Sequence, residues 1–315
     1  MAYLGTFYIK SKVKKVEPIP QTLKGTLLQE IDQQHSDEKM RSFYKAILFA
    51  TPLDKNVRES VAGLGVSHLV ALSGFHLAIL WFTLYQLILF LYQPIQQRFF
   101  PYRWSLIDVG FVVMGLLGVY VWFVGAPPSL VRSYGMVLLG WLLVLMGVEL
   151  LSFGFLYSVV LILLALFPAL IVSIAFWFSV AGVHSIFLIL QNSQSFHIKV
   201  VSFVVIPVGV FVLMLPISHT LFGMTTPYQL LSPVLSILFT FFYPLMIVLH
   251  LVGMGSIMDG QLPELLSLSC DMREELLPME VIGLYVGIAF RAITSKKAFL
   301  LLVTLASLYG AYLYL

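Results

Sequence analysis

The chain has 315 residues, of which 60% are hydrophobic and only 10% charged, and its mean hydropathy is +0.96. A soluble globule carries roughly 25% charged residues to face water, so this composition excludes a water-covered fold and places most of the chain in lipid. No Asp, Glu, Lys or Arg occurs from Ser60 to Gln97, from Leu150 to Ile198 or from Val200 to Met258. About 20 apolar residues span a bilayer as a helix, and the continuous runs lack the alternation of a membrane β-barrel. The predicted fold is therefore an all-α polytopic membrane protein with eight or nine transmembrane helices. Cys270 is alone, which excludes an internal disulfide and a cysteine-based metal site.

Residues 1–65 hold ten Lys/Arg and seven Asp/Glu, against eight and eight in the remainder. They form a polar amino-terminal segment in which Tyr3 to Pro18 alternates like a strand. Gln29 to Phe49 reads as one amphipathic helix with Ile31, Met40, Tyr44, Ile47 and Leu48 on its apolar face. Residues 66–315 form the membrane domain. Its predicted spans are Val66–Tyr92, Leu106–Val124, Ser133–Leu151, Phe153–Phe167, Ala169–Leu190, Val200–Ile217, Tyr228–Val252, Val281–Ala292 and Ala298–Leu315. Pro263 to Leu277 places Leu265, Leu268, Met272 and Leu276 on one face, the pattern of a helix lying along the membrane interface. Prolines 168, 207, 216, 233 and 244 interrupt apolar stretches, which predicts several discontinuous helices around a cavity. The Lys/Arg bias favours a cytoplasmic amino terminus, yet long amino-terminal segments translocate despite their charge, so sidedness stays open.

Two segments concentrate polar chemistry. In "VSHLVALSGFHLAIL" (Val66–Leu80) an eight-residue spacing separates His68 and His76 by about 12 Å along a helix, too far to chelate one metal. Ser73-Gly74 between them permits a helix break that exposes backbone groups. The histidines either bond between helices or line a polar path. In "GAPPSLVRSYGM" (Gly125–Met136), Pro127-Pro128 stops one helix, Ser129 is a candidate cap for the next, and Arg132 falls in its first turn. There the cation opposes the helix dipole; it either snorkels to headgroups or faces a wet path and meets an anion. His184, beside Ser179 and Gly182, reads as an interhelical bond, and Asp108 and Glu149 as span-end residues. Phe176, Trp177 and Phe178 offer either packing or base-stacking surfaces. No P-loop, HExxH, HxHxDH or GxSxG pattern occurs, and no catalytic residue or cofactor is expected.

The segment "GVSHLVALSGFHLAIL" resembles the HLLAISGLH-type signature of the ComEC competence family. "GAPPSLVRSYGM" is similar to that family's G-x-x-PSxxRAxxM segment, with Ser133 for the usual Ala. "WFSVAGVHSI" (Trp177–Ile186) resembles its LSFxAvxGI segment. "LMLPISHTLFGMTTPYQLLSPVLSIL" resembles its fourth motif, with Ser236 where Asn is usual. The four occur in the family's order. The resemblance implies a multi-pass channel in the bacterial inner membrane that conducts single-stranded DNA into the cytoplasm during natural transformation. It directs interest to His68, Ser73, Gly74, His76, Pro128, Arg132 and Pro216, and His184 is a further candidate. It further implies a periplasmic DNA receptor, a helicase-like cytoplasmic motor and a separate source of strand degradation, because neither an OB-like nor a metallo-β-lactamase-like domain is complete here. A chain this short is expected to dimerise to enclose a wide pore. The rival readings are a small-molecule secondary transporter, a non-conducting membrane scaffold and an intramembrane enzyme using His68 and His76.

Overall fold

The structure, a computed structural model, describes residues 22–149, 151–268 and 273–315. The strand-like stretch Tyr3–Pro18 and residues Cys270 and Met272 lie outside them. The described chain is helical almost throughout, and seven helices are long and apolar enough to cross a membrane.

Three helices precede the membrane domain: α1 (Leu23–Gln34), α2 (Glu38–Phe49) and α3 (Lys55–Gly63). The single helix predicted over Gln29–Phe49 is thus two. Asp37 accepts from the Lys39 N–H and starts α2 afresh, while His35 is drawn out of helical geometry by partners elsewhere in the chain. These helices do not stand apart. Ile31, Tyr44, Ile47 and Val57 share one hydrophobic core with Ile79, Phe239, Tyr243 and Met246 of the spans.

The membrane domain begins with the short α4 (Ser67–Val70), followed by α5 (Gly74–Phe99), α6 (Ser105–Phe123), α7 (Pro128–Leu145) and α8 (Phe153–Leu166). Then come α9 (Ile174–Asn192), α10 (Ile198–Leu221) and α11 (Ser232–Leu251), the last entered through a 3₁₀ turn over Pro227–Leu231. The short α12 (Leu262–Ser267) is followed by α13 (Met279–Ala292) and α14 (Lys296–Tyr314). Of the nine predicted spans, seven are long helices, and α8 and α13 are shorter, with 14 residues each. Apolar side chains face outward along them, Trp122 being 77% exposed, as lipid-facing surfaces require.

Proline and serine set the boundaries. Ser152, Ser173 and Ser295 cap α8, α9 and α14 by accepting from the N–H three residues on. Pro207 withdraws the donor that the Phe203 carbonyl would otherwise accept from, and a π turn occupies Val201–Val205. Pro233 begins α11 rather than interrupting it, whereas Pro216 and Pro244 lie inside α10 and α11. Close packing of α6 on α7 depends on glycine. A Cβ on Gly110 would sit 2.7 Å from the Trp141 ring, and one on Gly118 would sit 2.8 Å from the Tyr134 hydroxyl.

The interfacial helix predicted over Pro263–Leu277 is corrected. Helix α12 ends at Ser267, and its Leu262, Leu265 and Leu266 pack into the amino-terminal core instead of lying on lipid. Further on, β2 (Arg273–Glu274) pairs antiparallel with β1 (Met224–Thr225). The Glu275 N–H and Gly223 carbonyl extend that ladder at 2.7 Å, so backbone pairing takes over where a helix was expected.

Candidate functional site

The segment Gly65–Leu80 folds as a broken helix. Gly65 adopts φ +67°, and a Cβ there would meet Gln229 at 3.1 Å, so the turn into α4 requires glycine. Its carbonyl accepts from Ser232 Oγ at 3.1 Å, and Thr226 Oγ1 donates to the neighbouring Gly63 carbonyl. After Val70 the backbone extends through Ala71 and Ser73 before α5 begins at Gly74. The predicted break at Ser73-Gly74 is present.

The break is held by a capping box in which histidine replaces the usual Glu or Gln. Ser73 Oγ accepts from the Phe75 N–H at 3.3 Å, and the Ser73 N–H donates to His76 Nδ1 at 3.3 Å. That bond leaves the ring proton on Nε2, which is buried without a hydrogen-bond partner. The ring is fully buried and meets Tyr243 edge-on at 4.7 Å. Tyr243 and Tyr120 hydroxyls are 3.1 Å apart, and Tyr120 donates to the Leu48 carbonyl at 3.1 Å. This chain of rings joins the broken helix to α6, α11 and the amino-terminal helices.

Freed carbonyls need donors in a membrane. Ser129 Oγ supplies one, donating to the Leu72 carbonyl at 3.0 Å. Ser129 is therefore not the helix cap predicted for it. Pro128 itself starts α7 without a side-chain cap, and Ser129 turns sideways to α5. Ser133 Oγ, one turn on, donates to the Ser129 carbonyl at 2.9 Å and would lie 3.3 Å from a Cβ on Gly74. Gly74 thus admits α7. From the other side, Ser236 Oγ of α11 approaches His68 Nε2 at 3.4 Å. His68 is exposed, as are Ser67 and Ala71 beside it. A cavity of about 400 Å³ opens next to the break, lined by Thr51, Arg58, Ser67, Ala71, Pro127 and Ser129 among others.

Arg132 is the fifth residue of α7, two positions further in than a cap at Ser129 predicts, and donates to Ser173 Oγ at 2.5 Å. Ser173 caps α9, so the guanidinium sits at a helix amino terminus, where two positive features meet. No carboxylate pairs with Arg132 among the described residues.

The structure brings His68, Ser73, Gly74, His76 and Pro128 around one polar seam between α4–α5, α7 and α11, whereas Arg132 of α7 meets the start of α9 instead. It does not bring His184 or Pro216 there. His184 bonds Tyr157 Oη at 2.7 Å and the Ala289 carbonyl at 3.2 Å, an interhelical role. Pro216 is buried in α10, its carbonyl accepting from Thr220. Phe176 is buried core, Phe178 packs on Phe222, and Trp177 donates to the Ile171 carbonyl. Asp108 pairs with Arg103 at 2.6 Å and Tyr92 at 2.7 Å at a span end. Sequence reasoning passed over Arg58, Ser173 and the Tyr120–Tyr243 pair. Arg58 carried one signal, standing just before the first charge-free run.

A polytopic helical bundle with seven helices long and apolar enough to cross a membrane, one of them entered through a broken, internally capped segment, defines a multi-pass membrane protein. The family model described as "Competence protein" matches residues 50–314, and the chain belongs to that family. No curated protein and no solved structure matches the chain. Membership assigns it a role in competence and DNA uptake.

Proposed function

We propose that this protein is an inner-membrane channel that conducts single-stranded DNA into the cytoplasm during natural transformation. The observation that carries the reading is the seam itself: three of the four family-like motifs, far apart in sequence, meet at the α4–α5 break. A polyanion crossing lipid needs a wet path with hydrogen-bonding or positive lining. Ser67, His68, Ser129, Ser133 and Ser236 supply the former, and Arg58, with Arg132 at the start of α9, the latter. Few fixed cations favour passage over retention. The Arg132 guanidinium, unpaired beside the start of α9, suits a backbone phosphate. We further propose that the chain is not itself an enzyme. A periplasmic receptor would hand DNA to it, a cytoplasmic helicase-like motor would pull the strand, and two copies would enclose the pore.

A small-solute transporter is favoured by one observation, the cavity volume of about 400 Å³, which matches small-ligand pockets. The deciding experiment follows labelled transforming DNA into cells lacking the protein and into cells carrying Arg132→Ala or His76→Ala at normal abundance. Loss of uptake in the deletion and in either variant supports conduction. Normal transformation in the deletion sinks it. Solute uptake by reconstituted protein with no DNA passage selects the transporter.

A further inference from the structure

Away from the seam, His35 after α1, His250 at the end of α11 and Asp259 in the following loop form a buried relay. His35 Nδ1 lies 2.8 and 2.9 Å from the two Asp259 carboxylate oxygens. His35 Nε2 lies 3.0 Å from His250 Nε2, and His250 Nδ1 lies 2.7 Å from the Met246 carbonyl. The rings are 1% and 9% exposed. Tyr44 stacks on His35 with centroids 4.4 Å apart. Gln34 clamps the junction, donating to the His250 carbonyl at 3.1 Å and accepting from the Gly255 N–H at 2.8 Å.

Counting protons along the relay gives a definite result. The Asp259 carboxylate and the Met246 carbonyl only accept, so both Nδ1 atoms must carry hydrogen. The remaining contact joins two Nε2 atoms, and it is a hydrogen bond only if one of them is protonated as well. Three protons on two imidazoles make one imidazolium, balanced by the Asp259 charge. A metal fits the spacing less well. Two nitrogens about 2.0–2.1 Å from a tetrahedral ion stand about 3.3–3.4 Å apart, wider than the 3.0 Å here.

We propose that Asp259, His35 and His250 form a proton-binding site whose one shared proton latches the amino-terminal helices onto the end of α11. Burial of the rings works against the added charge, and the carboxylate offsets it. Among the other groups facing the relay, Arg41 donates to the His35 and Ser36 carbonyls at 2.8 and 3.1 Å and so adds positive charge nearby. Lys45 of α2 is neutralised by Asp32 of α1 at 2.5 Å. Burial, and then the charge of Asp259, raise the Tyr44 hydroxyl above its usual range, so it stays protonated through neutral pH. α11 adds no charged group besides His250.

The docked state holds one proton more than separated, neutral imidazoles. Docking therefore takes up a proton where separated imidazoles are neutral, above about pH 6.5, and weakens as pH rises from there; well below that pH both separated rings are charged and docking must release a proton, so it weakens there too. The test is amide exchange of residues 23–49 in full-length protein in nanodiscs from pH 6 to 9, corrected for intrinsic exchange. Above about pH 6.5 the docking constant should fall by up to about tenfold per pH unit, the slope of a single linked proton, the midpoint being the pH at which half the protection is lost. His250→Phe should abolish this dependence. Asp259→Asn, which keeps an acceptor and loses the charge, should move the midpoint to lower pH and covers the case in which His250→Phe misfolds. Protection that is flat with pH in the wild type, or an unmoved midpoint in Asp259→Asn, overturns the proposal. So does protection lost to EDTA and restored by zinc at fixed pH, which would make the shared ion a metal.

Discussion

Ser129 Oγ lies 3.0 Å from the carbonyl oxygen of Leu72, and this single bond joins the unwound start of α5 to the first turn of α7. Leu72 is 4% exposed, and removing the hydroxyl takes away the side-chain donor to its carbonyl. Ser129→Ala should destabilise the protein by about 1–3 kcal/mol, the cost of a buried unsatisfied acceptor. Thermal unfolding in detergent measures it, and Ser129→Thr, which keeps the donor, should restore most of the loss.

His76 serves as the acceptor of a capping box, so its replacement divides by shape and chemistry. His76→Leu removes the acceptor for the Ser73 N–H and should cost about 0.5–2 kcal/mol, the range of lost helix caps. His76→Gln presents the usual capping-box acceptor and should recover stability. If uptake stays lost in a stable His76→Gln, the imidazole has a role in conduction beyond the cap.

Arg132 separates charge from packing. Arg132→Gln can still reach Ser173, whereas Arg132→Lys keeps the cation. Uptake of labelled DNA should fall by about tenfold or more in the Gln variant, within the range of electrostatic steering, and be better preserved in the Lys variant. Equal unfolding temperatures in both would confirm that the loss is functional. Equal uptake would assign Arg132 to packing alone.

Gly110→Ala tests the α6–α7 contact. Its Cβ would fall 2.7 Å from the Trp141 indole, and overpacking of that kind costs about 1–3 kcal/mol. Trp141→Leu in the same protein should relieve it, giving a coupling between the two sites in a double-mutant cycle of unfolding free energies.

The spans were legible because lipid forbids charge, and charge-free runs are read directly from residues. The break before Gly74 was legible too, since Ser-Gly in an apolar stretch has few other uses. What escaped was which elements face each other. Ser129 looks like a cap from its neighbours alone; only the position of α5 makes it a donor to Leu72. The split at His35 was hidden because its cause, Asp259, lies 224 residues away. The helix expected over Pro263–Leu277 failed for the same reason. Leu265 and Leu266 found the amino-terminal core, and Arg273–Glu274 found Met224–Thr225, so local periodicity lost to tertiary pairing. Ser173 gave no signal, because a serine before an apolar helix is ordinary until an arginine points at it.

Helix α11 touches the seam through Ser236, the ring chain through Tyr243 and the amino-terminal helices through His250. Ser236 and His250 are about 21 Å apart along a straight helix. Pro244 lies just past Tyr243 and is the natural pivot. One helix therefore carries the contact with the amino-terminal helices at one end and the contact with the polar seam at the other, so neither contact can be repacked without the helix that holds the other.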